Sequence, residues 1–248
     1  MVVAAKERHL SDSLCDGIMK FANLDGRRVE PAPKLNANCS FCGSAVVAKC
    51  GKVRVWHWAH KTTKHCDHWW EPEKEWHREW KNLFPIDWQE QGRRDENGEL
   101  HIADVLTPQG LALEFQHSAI SRDEVEIRTA FHGNICWIVD GLRLENSIKQ
   151  FKEALGHAQV LNSSGAMVCE LYHYDSRLVK KWSGLDAPVV FDFGIDDLWV
   201  IGRSLENSTL MYSLGRSKLV EQFKLGNRPP PVQIRQPRYR VPHRRRRF

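Results

Sequence analysis

Asp104 and Glu114 stand in two otherwise apolar runs, LHIADVL and LALEFQ, where an ionised carboxylate is costly unless a cation compensates it. Between the runs, Pro108-Gln109-Gly110 reads as a three-residue hairpin loop with glycine at its left-handed position. That loop pairs Thr107 with Leu111 and so sets Asp104 opposite Glu114. Directly opposed residues have Cβ atoms about 5 Å apart on one face, close enough to share a divalent ion. A two-residue loop would slip the register by one and turn the two side chains to opposite faces. Hard oxygen ligands select Mg²⁺ or Mn²⁺. Such an ion activates water and steadies charge on a phosphodiester, so the chemistry implied is phosphodiester hydrolysis. Gln116 faces the same side as Glu114 and can orient a water or a phosphate oxygen, but it is neutral. His77, Lys81 and His117 are candidates for the missing base or positive charge, and Glu73 completes the acidic cluster if its helical stripe faces the sheet edge.

A second constellation suits a softer metal. Cys39-Ser-Phe-Cys42-Gly43 has the form of a zinc knuckle, two thiolates with a glycine that permits the tight turn and lets backbone amides approach sulfur. His57-Trp-Ala-His60 follows, giving four ligands suited to tetrahedral Zn²⁺. Cys50 or Cys66 can replace one histidine. Four protein ligands leave no open position, so the zinc is structural.

The elements that position these groups follow from local pattern. Pro72 suits a first helical turn, and EKEWHREWKNLF puts Trp76, Trp80 and Leu83 on one stripe and Glu73, His77 and Lys81 on a polar one. A short alternating segment (86–91), an Asn97-Gly98 turn, and the strands LHIADVL and LALEFQ come next. Ser121 with Glu124 forms a capping box opening a helix to about Phe131, and ICWIVD reads as a buried strand. The order is α, β, β, β, α, β. Beyond Gly141, helices near 147–157 and 217–224 and strands near 167–174, 189–193 and 198–201 make a mixed extension without a chemistry motif.

ADV at 103–105, EFQHS at 114–118, the E-x-x-x-H-x-x-x-K of Glu73, His77 and Lys81, and Arg128 in the following helix resemble the competence protein CoiA-like family. The CxxC and HxxH segment is similar to the N-terminal part of the same family. The resemblance covers roughly Cys39 to Gly141. It implies a PD-(D/E)XK nuclease core of α-β-β-β-α-β order, metal binding by Asp104 and Glu114 with help from Glu73, and a polar active-site role for Gln116. Gln116 stands where that superfamily usually carries lysine.

Composition bounds the rest. The 248 residues include 36 Lys and Arg against 31 Asp and Glu, yet eight arginines and no acid fall between Asn227 and Phe248. The body is therefore mildly acidic, and the whole positive excess lies in a tail with five prolines. Such a tail buries too little to offset ordering entropy, so it is expected to be disordered or bound to a partner, with Arg244, Arg245, Arg246 and Arg247 a phosphate clamp. No run approaches the ~20 apolar residues of a bilayer span, and the opening MVVAAKERHL lacks a signal peptide's apolar stretch. Seven cysteines at irregular spacing argue against a disulfide scaffold and for a reducing, cytoplasmic setting.

The expectation is a mixed α/β protein with four regions. These are an N-terminal region (1–68) with a zinc module (39–66), a nuclease core (69–141), an extension (142–226) and a basic tail (227–248). The expected activity is Mg²⁺- or Mn²⁺-dependent cleavage of DNA in transformation, recombination or defence, with recombination or defence proteins as possible partners. The alternative is a catalytically degenerate, nucleic-acid-binding accessory protein.

Overall fold

A computed structural model describes residues 18–62, 66, 73–162 and 166–231; Pro72 and Arg244 to Arg247 lie outside them. The chain divides into two compact units, residues 1–106 and 107–248.

The first unit opens with six short strands: β1 (Ile18–Met19), β2 (Ala22–Leu24), β3 (Arg27–Val29), β4 (Asn36–Asn38), β5 (Ala45–Lys49) and β6 (His57–His60). They pair antiparallel in the order β1-β6-β5-β4-β2-β3. Asp25 and Gly26 join β2 to β3 with φ of 50° and 78°, the two successive left-handed residues of a type I′ hairpin. With strands this short, the buried cluster among the described residues of the sheet is small: Met19, Ala22, Ala37, Cys39, Val46 and Trp58. So small an apolar cluster needs a further staple.

Helix α1 (Glu75–Lys81) follows, then a single 3₁₀ turn at Ile86–Trp88 and the antiparallel pair β7 (Gln89–Arg94) and β8 (Leu100–Leu106). The helix begins at Lys74, whose backbone N–H donates to His77 Nδ1 at 3.4 Å. His77, Trp80 and Lys81 are buried and Leu83 is exposed. The polar stripe of Glu73, His77 and Lys81 is therefore a buried face, tolerated because its charges are paired. Gly98 closes the β7–β8 turn with φ 83°, while the Asp95 carboxylate accepts from the Asn97 and Glu99 amides. Gly92 of β7 lies under Phe41: a Cβ there would come within 2.8 Å of the ring.

The second unit begins with the turn Thr107–Leu111, in which the Thr107 N–H donates to the Leu111 carbonyl at 2.9 Å and Gly110 has φ 84°. Beyond it come β9 (Ala112–Gln116), α2 (Arg122–His132), β10 (Ile135–Asp140), α3 (Glu145–His157), β11 (Gln159–Asn162), β12 (Val168–Tyr172), α4 (Arg177–Trp182), β13 (Val189–Asp192), β14 (Asp197–Ser204), β15 (Ser208–Gly215) and α5 (Arg216–Lys224). Ser121 caps α2, its Oγ accepting from the Glu124 amide at 3.1 Å. Within this unit the strands run β11-β12-β15-β14-β13-β10-β9, with β9, β10 and β13 parallel and the other pairs antiparallel. The central strand ICWIVD is buried at every position, as a parallel strand covered on both faces requires.

The fold is thus mixed α/β, and the order read from the sequence over 69–141 recurs as α1, β7, β8, β9, α2, β10. Residues beyond Gly141 are not a separate layer, because β13 pairs directly with β10. The start of the tail is also held: Arg228 donates to the Asn134 side chain and the Gly133 carbonyl, each at 2.9 Å, and the Tyr212 hydroxyl donates to the Pro230 carbonyl. No helix among the described residues is long and apolar enough to cross a membrane.

Candidate metal centre and carboxylate clusters

The turn after β4 is a knuckle. The Gly43 amide donates to the Cys39 carbonyl at 3.0 Å, the Cys39 amide to the Ser44 carbonyl at 2.8 Å, and the Phe41 amide to Cys39 Sγ at 3.4 Å. Gly43 supplies the left-handed residue, φ 71°. Among the described residues, Cys39, Cys42, His60 and Cys66 bring their ligand atoms within 4.8 Å of one another.

The donor set and spacing fit zinc. Tetrahedral bonds of about 2.3 Å to sulfur and 2.0 Å to nitrogen put two sulfurs about 3.8 Å apart, and a sulfur and a nitrogen about 3.5 Å apart. The Cys39 and Cys66 sulfurs are 3.8 Å apart, and Cys42 Sγ lies 3.4 Å from His60 Nε2. The neighbouring Cys66 thiol, outweighing burial, holds the Cys39 thiol down to about 3. The His60 imidazole is raised, first by Cys39 and against burial.

His57 is not part of the cluster, and its expected place is taken by Cys66. His57 and His60 lie three apart on an extended strand, so with a side-chain period of two they point to opposite faces. The HxxH spacing works on a helix or a turn, not here. His57 Nδ1 instead donates to the Val55 carbonyl at 2.8 Å. Cys50 is also outside the group.

In the same unit, three carboxylates surround one buried ammonium. Lys81 Nζ lies 2.5 Å from Glu73, 2.9 Å from Glu90 and 3.9 Å from Asp104. The register pairing Gln89 with Val105 and Gln91 with Ala103 makes Glu90 and Asp104 cross-strand neighbours. Glu73 also takes Arg78 at 2.9 Å, and Glu90 accepts the Lys20 and Phe21 amides at 2.8 and 3.1 Å. Glu90 sits on β7 with φ 46°, a strained conformation for a non-glycine residue that these bonds stabilise. Burial pushes the Lys81 ammonium down, but Glu90, Glu73 and Asp104 together raise it well above the usual lysine range. It is therefore a fixed cation and not a base. Burial likewise pushes Glu73 up, and Lys81 and Arg78 overcome it to hold the carboxyl below its ordinary value. Asp104 is the solvent-facing member, with 23% side-chain exposure against 5% for Glu73 and 8% for Glu90.

In the second unit Glu114 is buried on β9, with Arg128 at 3.8 Å and His132 at 3.6 Å. Both come from α2, four residues apart on one face. Gln116, two residues on and buried, donates from Nε2 to the Ser118 carbonyl at 3.2 Å. His117 Nδ1 lies 2.6 Å from Asp140 Oδ2, and Asp140 Oδ1 accepts the Leu142 amide at 2.8 Å. Glu90, His132 and Asp140 were not legible as site residues. Glu90 sits in the short alternating segment 86–91, where nothing local marks it out, and Asp140 looks like a strand terminus. The i, i+4 spacing from Arg128 was a signal for His132.

A mixed α/β chain with a zinc-type Cys₃His cluster near its N-terminus is the class these observations define. Residues 34–68, which contain all four ligands, match the family described as competence protein CoiA, N-terminal domain. No curated protein and no solved structure matches the chain.

Proposed function

We propose that this protein is a metal-dependent nuclease that cleaves DNA, with a zinc-stapled N-terminal module and a PD-(D/E)XK-like core, acting in DNA uptake, recombination or defence. The observation that carries the proposal is the convergence of Glu73, Glu90 and Asp104 on one buried cation, in a cluster whose solvent-facing member is Asp104. The CoiA N-terminal match over 34–68 supports a role in DNA processing. The Thr107–Leu111 turn has the three-residue form expected of it.

In this proposal Asp104 and Glu114 hold Mg²⁺ or Mn²⁺, which when bound lowers the pKa of a water and offsets charge developing on the phosphodiester. Glu73 and Glu90 anchor Lys81, and Lys81 orients the Asp104 carboxylate. Gln116 positions the attacking water or a phosphate oxygen through hydrogen bonds. Arg128 and His132 of α2 flank the Glu114 carboxylate in its buried strand.

The test is incubation of the purified protein with plasmid and single-stranded DNA in Mg²⁺, Mn²⁺ or EDTA, beside Asp104→Asn and Glu114→Gln. Cleavage by the parent protein alone, abolished by EDTA, is the expected result. Equal cleavage by parent and variants would overturn the assignment. A non-catalytic, DNA-binding accessory role is the second reading, favoured by the neutral Gln116 already engaged with Ser118. DNA binding retained in EDTA with no cleavage under any condition would select it.

A further inference from the structure

Within the second unit, beside the ends of β9 and β10, lies a cavity of about 160 Å³. Arg143, Arg177 and Lys181 line it together with Gln116, His117 and Asp140. Its charge is unbalanced: three permanent cations face one carboxylate, and that carboxylate is already committed to His117 and to the Leu142 amide. The cations come from separate segments, Arg143 from the loop after β10 and Arg177 and Lys181 from opposite ends of α4. The sheet and α4 thus assemble a basic wall that no stretch of sequence announces.

The wall is also positioned. Lys181 Nζ donates to the Ile120 carbonyl at 2.6 Å, which holds its side chain in place. Burial, then the nearby Arg143 charge, pulls the Lys181 ammonium below its usual range. An anion in the cavity would offset the like charges that line it. Volume narrows the ligand further, since sites for whole small molecules begin at about 300 Å³. This cavity is half that size and basic.

We infer that this cavity binds a phosphate group of a DNA strand, at a position separate from the bond that is cleaved. The inference rests on the nuclease reading for the identity of the strand but not for the anion site itself. Arginine offers paired N–H donors to phosphate oxygens, and Lys181 adds a point charge. Because Gln116 belongs to both this wall and the strand that carries Glu114, a phosphate captured here would set the register of the strand at the carboxylates.

The experiment uses the full chain in EDTA, so that binding is measured without cleavage. Inorganic phosphate is titrated by calorimetry, and labelled single strands with and without a 5′-phosphate are titrated by fluorescence anisotropy at several salt concentrations. The Arg143→Ala/Arg177→Ala pair changes exposed side chains and should melt like the parent; Arg143→Lys/Arg177→Lys should restore most binding. The expected result is loss of phosphate binding in the alanine pair, an approximately tenfold weaker DNA complex and a salt slope reduced by about 1 to 2. A 5′-phosphate that tightens binding at least threefold would identify a terminal phosphate, and no preference would identify an internal phosphodiester. Unchanged phosphate affinity and salt slope in the alanine pair would overturn the inference. Asp104→Asn keeps the two claims apart: it should abolish cleavage and leave phosphate binding intact.

Discussion

Lys81 Nζ and Glu73 Oε1 lie 2.5 Å apart, with only 4% and 5% of their side chains exposed. The ammonium stands eight positions after the carboxylate, at the last residue of α1, and satisfies Glu90 as well. A buried pair of this kind contributes little over an apolar isostere, but removing one partner strands the other. Lys81→Met should therefore destabilise the first unit by about 3–5 kcal/mol, because three carboxylates lose their common cation. Glu73→Gln should cost less, since Glu90 and Asp104 remain to hold Lys81. Urea unfolding of both variants measures the difference.

The same pair fixes a pH window. Glu73 is depressed in the fold, so its contribution is present above the unfolded carboxyl value of about 4.3 and lost as pH falls through the lower folded one. Lys81 is raised, so its contribution is present below the unfolded lysine value of about 10.4 and lost only as pH climbs through a still higher folded value. Stability from this cluster should be flat from about pH 5 to pH 10 and fall in acid. In Lys81→Met, Glu73 loses its main partner and the acid decline should begin at higher pH. Melting temperature against pH in both proteins tests this.

Zinc analysis separates the ligand set found from the one expected. The purified protein should carry one equivalent, retained in His57→Ala and Cys50→Ser and lost in Cys66→Ser and His60→Ala. Chelation should expose Trp58 at the centre of the small sheet, seen as a red shift in tryptophan emission. Zinc kept by Cys66→Ser and lost by His57→Ala would reverse the assignment.

Phe41, in the knuckle, covers Gly92 of β7 so closely that an added side chain must displace the ring. Gly92→Val should cost about 1–3 kcal/mol through overpacking. Combining it with Phe41→Ala should give a smaller loss than the sum of the two, which a double-mutant cycle on denaturant midpoints measures.

What the sequence disclosed depended on whether its signals were local. The strands LHIADVL and ICWIVD, the Ser121 cap and the left-handed Gly110 each follow from a few neighbouring residues, and each is found as read. Strands β1 to β6 are two to five residues long, too short for periodicity to speak, although Asp25-Gly26 did carry a hairpin signal. Nothing local links the helix face holding His77 and Lys81 to Glu90, whose partnership depends on the β7 strand. Choosing His57 over Cys66 required knowing that the HxxH segment is extended, since only a helix or turn presents both rings to one ion. Arg143, Arg177 and Lys181 meet only through the folded sheet and helix, beyond the reach of any spacing rule.

The most direct measurement of the central claim is anomalous diffraction from Mn²⁺-soaked crystals of the parent protein and of Asp104→Asn. One manganese peak bonded to the carboxylates of Asp104 and Glu114, and missing from the variant, is the predicted result. Manganese bound elsewhere, or bound equally in both crystals, would contradict it.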